Sequence, residues 1–193
     1  MREETGLHGR LIEIASGSTW FMTALRAVQG MRVEEWCIGA GAVRNLVWDH
    51  LHAYSVPSKL PDVDVAHFNA QDLSLETDEV LQARLSACCP HIPWEVTNQA
   101  AVHLWFESHF GHAVPPLQSL EEAVASWPEF ATCGGLSLDR YGRMSVVAPH
   151  GLTDLFQMRV RRNPARVSVA TYQQRLAEKR FRERWPNVHV VPC

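Results

Sequence analysis

Residues 62–68 read Asp-Val-Asp-Val-Ala-His-Phe, and the alternation over the first four leaves little choice of local structure. Only an extended strand sends successive side chains to opposite faces, so Val63 and Val65 share one face and Asp62 and Asp64 the other. The two carboxylates then lie about 6.6 Å apart along the backbone, with a packed core behind them. A chain carrying this segment needs a sheet covered on one face and open to charge on the other. Taken alone, Asp-x-Asp also suits a solvent-facing strand edge, so its neighbours decide.

Upstream, Trp36-Cys37-Ile38 is a short apolar strand that runs into Gly39-Ala40-Gly41. Val43, Leu46, Val47, His50 and Leu51 then follow the spacing of an amphipathic helix. Glycines at such a turn let backbone approach a ligand, and free N–H groups at a helix start favour phosphate. A strand-to-helix turn also favours glycine for its own sake. Downstream, Trp94-Glu95-Val96-Thr97 is another strand, with an acid between two apolar residues and directed towards the face of the aspartates. Three carboxylates on adjacent strands raise one another's pKa unless a positive charge lies between them. All-oxygen ligation suits Mg²⁺ or Mn²⁺, ions that also bind substrate phosphates. Glycine turn, paired aspartates and third acid together point to phosphoryl chemistry.

The other elements give an α+β fold, a small α/β sheet with flanking helices. Residues 8–30 read as two helices broken at Gly17, with Ser18 capping the second. Ser55–Pro61 is a loop, and a helix marked by Val80, Leu81, Leu85 and Cys88 closes at Pro90. A further helix spans about 98–109, and Ser119–Glu122 is a capping box opening a helix that Pro128 stops. Segments 131–138 and 143–148 form a hairpin through Asp139–Gly142, followed by a short helix at Gly151–Met158 and a C-terminal helix over 168–185.

With 193 residues, 46% hydrophobic and 20% charged, the chain is expected to form one domain. No stretch approaches a membrane span, and no apolar segment follows the polar N-terminus as a secretory signal requires. Five cysteines, two of them adjacent (Cys88 and Cys89), make a poor disulfide framework and suit reduced thiols in a cytoplasmic setting. The net charge of −3 is unevenly distributed: residues 159–193 carry +7 and residues 1–158 carry −10. Such a basic segment either contacts an anion or docks on the acidic body.

These motifs resemble the DNA polymerase β-like nucleotidyltransferase superfamily, and more closely a bacterial nucleotidyltransferase-like family formerly of unknown function. The residues carrying the closer likeness are Trp36–Asn45 (WCIGAGAVRN), Trp48–His52, Asp62–Val65, Trp94–His103 (WEVTNQAAVH), Trp127-Pro128 and Ala148–Phe156 (APHGLTDLF). Asn163-Pro164 and Trp185-Pro186 extend it over nearly the whole chain. The resemblance implies a single nucleotidyltransferase-like domain over 1–193, with N-terminal helices at 8–30, a catalytic core at 36–110 and a C-terminal extension at 111–193. It implies that Asp62, Asp64 and Glu95 are catalytic and hold Mg²⁺ or Mn²⁺. Gly39, Gly41, Arg44, Asn45 and Asn98 would bind a nucleoside triphosphate, with Gln99 and His103 near the pocket. The implied reaction moves a nucleoside monophosphate group to an unidentified hydroxyl acceptor. Three departures from the family pattern stand out: Ala40 separates the glycines, the interval from Gly41 to Asp62 is long, and Arg162 replaces a proline before Asn163-Pro164.

Other readings are weaker. Arg44 occupies the third glycine of a dinucleotide-binding G-x-G-x-x-G turn, where a bulky side chain spoils helix–sheet packing. Cys88, Cys89 and His91 lack the C-x₂-C pair of a zinc site, and no G-x-S-x-G elbow supports a serine hydrolase. The rival from a different class is an inactive nucleotide-binding or protein-interaction module, antitoxin-like or regulatory. Neither a membrane nor long nucleic acid suits the acidic body as a partner.

Overall fold

The alternation at residues 62–65 is realised in a mixed five-stranded sheet. Its strands are β1 (Trp36–Gly39), β2 (Val63–His67), β3 (Trp94–Asn98), β4 (Gly135–Leu138) and β5 (Met144–Val147), in the order β3-β2-β1-β4-β5. The structure is a computed structural model that describes residues 2–192; Met1 and Cys193, the last of the five cysteines, lie outside the described residues. None of the described helices is long and apolar enough to cross a membrane.

Strand direction decides where the functional residues meet. β1 and β2 are antiparallel, with Ile38 opposite Val65 and Cys37 opposite Ala66, whereas β2 and β3 are parallel, with Asp64 opposite Glu95. The C-terminal end of β1 therefore lies beside the N-terminal ends of β2 and β3. Ile38, Val65, Val63, Trp94 and Val96 face the main core. Cys37 and Ala66 face the opposite side, where Val124 and Cys133 meet them, and the alternation places the three acids on that side too. Two glycines hold this second face low. A Cβ on Gly39 would lie 2.5 Å from the Trp127 ring, and one on Gly135 would lie 2.5 Å from the Cys37 sulfur.

Helices α1 (Arg2–Gly17) and α2 (Thr19–Gly30) part at Ser18, as the sequence suggests, but α1 starts six residues earlier than expected and Ser18 makes no side-chain cap bond. Helix α3 (Ala40–Leu51) follows β1 at once. His50, expected on its buried stripe, is exposed, while Arg44, Asn45 and Asp49 are buried because the C-terminal segment covers their side. α4 (Leu75–Cys88), α5 (Val102–Phe110) and α6 (Leu120–Ala125) come next. The capping box of α6 is half made: Ser119 Oγ accepts from the Glu122 N–H at 3.1 Å, but the Glu122 carboxylate takes the N–H of Gln118. The hairpin forms from β4 and β5, preceded by a single 3₁₀ turn at Phe130–Thr132, and α7 (Thr153–Phe156) follows.

The expected helix over 168–185 is two helices, α8 (Val169–Lys179) and α9 (Phe181–Arg184), broken at Arg180, whose φ is 48°. The break lets Tyr172 donate to Val160 O at 2.9 Å while Phe181 and Trp185 turn onto Trp48 at ring distances of 5.9 and 5.2 Å. A two-stranded parallel ladder, β6 (Arg159–Val160) with β7 (His189–Val190), is too short to leave a periodic signal in the sequence.

The basic segment docks on the acidic body. The Trp185 indole N–H donates to Asp49 Oδ1 at 2.7 Å, and Arg175 grips the buried Glu129 with contacts of 2.7 and 3.2 Å. At the far ends of β2 and β3, His67 Nε2 lies 2.6 Å from Asp78, whose second oxygen accepts the Asn98 N–H at 2.8 Å. Both His67 and Asn98 are buried.

Because Trp185 is fully enclosed, Trp185→Ala is expected to cost about 3–5 kcal/mol of unfolding free energy, read as a lowered urea midpoint. Ending the chain after Asn163 removes Tyr172, Phe181 and Trp185 together; the fragment is expected to aggregate or to show no cooperative melt in differential scanning calorimetry.

Candidate active site

Asp64 in β2, Asp62 one residue before that strand, and Glu95 set opposite Asp64 by the parallel register of β3 form one cluster. Each offers a carboxylate oxygen such that all three lie within 4.8 Å of one another. Asp62 and Asp64 are half-buried, and Glu95 is exposed at the mouth. Continuing the β1–β2 register one step sets Gly39 beside Asp64. The cluster lies in a cleft of about 240 Å³ whose walls include Gly41 and Arg44 of α3, Trp127, and Arg175 and Lys179 of α8.

Electrostatics in this cleft is strained. Burial, and then the charges of Asp62 and Glu95, push the Asp64 carboxyl up to about 7. Partial desolvation and then Asp62 raise Glu95 as well. Lys179 opposes both shifts, and Arg44 opposes that of Asp64. A cluster of hard oxygen donors with too little positive charge around it is chemically suited to a divalent cation.

Arg44 stands on the opposite wall. It is only 4% exposed, and its guanidinium carbon lies 5.7, 5.2 and 5.5 Å from the rings of Trp48, Phe181 and Trp185. One terminal nitrogen donates to Asn45 Oδ1 at 2.8 Å, while Arg44 Nε and Asn45 Nδ2 are buried without a hydrogen-bond partner. Burial lowers the guanidinium to about 10, so it stays charged at neutral pH. Of the two residues named from the start of α3, Arg44 lines the cleft, whereas Asn45 is buried behind it and holds one of its nitrogens.

The two glycines differ. Gly41 lines the cleft, and a Cβ on it would meet the Arg44 guanidinium at an ordinary contact distance of 3.6 Å. The bare face of Gly39 is instead covered by Trp127. Between them Ala40 takes a left-handed φ of 48°, the tight turn that starts α3 directly on the last residue of β1. Asn98 is not brought to the cleft. Its side chain accepts from Asn69 and Ala100 N–H groups and donates to Asn69 O and Asp72 O, so its polar atoms are spent on the loop between β2 and α4 and on the turn after β3. The neighbouring Gln99 lines the cleft instead, and His103 bonds Ala100 O at 2.9 Å.

Sequence reasoning missed Lys179, Arg175 and Thr132. The i, i+4 spacing of Arg175 and Lys179 within a strongly basic segment was the available signal. Thr132 carried none.

Asp64 supplies a test. A carboxyl raised above its unfolded value favours the fold most below about 4 and loses that contribution as pH rises through about 7. Metal-free Asp64→Asn is therefore expected to melt no higher than the parent at pH 4. At pH 8 it should melt higher by about 2–4 °C per kcal/mol of relieved strain. Scanning calorimetry in EDTA at both pH values decides it.

Residues 26–190 match the model of a family described as nucleotidyltransferase. No curated protein matches the sequence. A solved structure said to reveal a CCA-adding enzyme head domain superposes with a TM-score of 0.79 at 28% identity, covering 95% of each chain. A tRNA-processing enzyme in an apo form aligns with a TM-score of 0.48 at 17% identity over 88% of this chain and 42% of its own.

Proposed function

The chain belongs to this nucleotidyltransferase family, and from that premise we propose that it moves a nucleoside monophosphate from a nucleoside triphosphate to a hydroxyl acceptor, with Mg²⁺ or Mn²⁺ held by Asp62, Asp64 and Glu95. The observation that carries the reading is the convergence of those three carboxylates within 4.8 Å. Clustered, partly buried acids without a hydrogen-bonded fold role are costly, and a hard cation removes the cost. Such an ion, when bound, neutralises charge on the reacting phosphate and makes a nearby hydroxyl more acidic.

The protein's own groups do the rest. Gly41, with no side chain in the way, lets phosphate oxygens approach the start of α3, and the Arg44 guanidinium faces them from the wall. Glu95, the most exposed of the three acids, stands where an acceptor enters and is suited to take the hydroxyl proton. An ordered side-chain set of this kind fixes the reacting atoms before the transition state and need not rearrange within it. The rival reading, a silent nucleotide-binding module, predicts binding without turnover.

Calorimetry with ATP, GTP, CTP and UTP, with Mg²⁺ and then with EDTA, tests the proposal. Binding is expected only with metal; equal binding in EDTA would overturn it. Asp64→Asn should abolish the metal-dependent binding. Glu95→Gln should leave binding largely intact and slow pyrophosphate release by about 10²–10⁴-fold, the range of a lost general base.

A further inference from the structure

The chemistry above makes no use of the adjacent cysteines, Cys88 and Cys89. Consecutive side chains on one helix stand about 100° apart around its axis and diverge. Here the helix ends between the two: Cys88 is the last residue of α4, and Cys89 has left it with φ −135° and ψ 75°. The sulfurs consequently meet at 3.9 Å, with the Cys89 thiol directed at the Cys88 sulfur. Both are free thiols, but they differ in access: Cys88 is exposed, whereas Cys89 is 8% exposed. Cys37 and Cys133 are buried on the second face of the sheet.

An exposed thiol beside a buried one divides the work of thiol–disulfide exchange. The first meets a reagent from solution, and the second attacks the mixed disulfide that results. Held in place, the second thiol acts at an effective concentration that no free thiol reaches. Cys89 is also fastened to the start of β3. Its carbonyl accepts the Ile92 N–H at 3.1 Å and the Trp94 indole N–H at 3.2 Å, while its own N–H donates to Leu85 O at 2.8 Å. Trp94 is buried, opens β3 and directly precedes Glu95.

We propose that Cys88 and Cys89 form a modification site for low-molecular-weight disulfides, and that closing it loosens the start of β3. The Cys88 thiolate attacks one sulfur of the small disulfide; the S–S bond breaks, and the other half leaves as a thiolate that takes up a proton. The Cys89 thiolate then attacks the Cys88 sulfur, and the second half of the reagent leaves in the same way. Two cysteine thiols are thereby oxidised to one disulfide, one small disulfide is reduced to two thiols, and the two cysteine protons end on the released thiols. The product is a small ring through the peptide bond that joins the two residues. Drawing sulfurs 3.9 Å apart into a bond within so small a ring turns that peptide, and with it the Cys89 N–H and carbonyl. The Trp94 indole N–H is then left buried without its acceptor, which is costly.

The test uses the full chain, with oxidised glutathione as the small disulfide, and melting curves taken beforehand check that each variant folds. Once free thiols are blocked, cleavage at Arg84 and Glu95 releases Leu85–Glu95, which holds both cysteines and no other. Mass spectrometry of the wild type is expected to find this segment unblocked, free of glutathione and two hydrogens lighter than the dithiol. Cys89→Ala should keep a glutathione adduct on Cys88. Cys88→Ala should react about tenfold more slowly or less, because only the buried thiol remains. The closed wild type should melt a few degrees below the reduced protein, and dithiothreitol should restore the melt. An unreactive wild type, an adduct that persists on its Cys88, a bond from Cys88 to a different cysteine, or Cys88→Ala reacting as fast as the wild type would overturn the assignment. A closed form that melts no lower would overturn the coupling to β3.

Discussion

Mutual repulsion among three carboxylates at one end of a sheet is the constraint around which this molecule is arranged. Strand geometry forces the acids together: period two puts Asp62 and Asp64 on one face, and the parallel register sets Glu95 opposite Asp64. Nothing within the sheet relieves them. The compensating cations come from outside it, Arg44 from the helix that leaves β1 and Lys179 from the far end of the chain. That requirement accounts for the anchoring of the last thirty or so residues. Trp185 is held by Asp49, Arg175 by Glu129 and Tyr172 by backbone carbonyls, so Lys179 is delivered to the cleft on a fixed support.

The treatment of Arg44 follows from the same economy of charge. A carboxylate partner would hold the guanidinium firmly but cancel the field it exerts on the cleft. Three aromatic rings pack around it instead, and ring faces attract a cation without neutralising it. Asn45 fixes one nitrogen through a neutral oxygen. On the other wall, Trp127 lies against the sheet only because Gly39 has no side chain, whereas at Gly41 a Cβ would meet Arg44 only at an ordinary contact distance.

The acid cluster was legible in the sequence because it depends on local periodicity. Asp-x-Asp in a strand and an acid between Trp94 and Val96 both specify a face before any tertiary contact is known. The helix after the glycine turn, the hairpin and the parting of the first two helices next to Gly17 were legible for similar reasons. What could not be read depends on pairing between distant segments. Nothing local states that β1 runs antiparallel to β2, or that Trp48 meets Trp185. The burial of Arg44 and Asn45 in place of His50 follows from that distant contact. Asn98 lies off the cleft because its side chain ties the end of β3 to the loop after β2, a distant contact that an asparagine at a strand end does not announce. Lys179 was visible only as one charge among nine.

The buried contact of His67 with Asp78, and of Asp78 with the Asn98 backbone, joins the ends of β2 and β3 remote from the acids. Its consequence is arithmetical. A sheet strand slipped by one residue exchanges its two faces completely. In β2 that would drive Asp64 into the apolar layer and turn Val63 and Val65 outward. The His67 side chain ties β2 to Asp78 in its present alignment, and a slip of one residue would leave both buried groups without that contact. Parity is thus set three residues away from where it matters, by groups that never meet the chemistry.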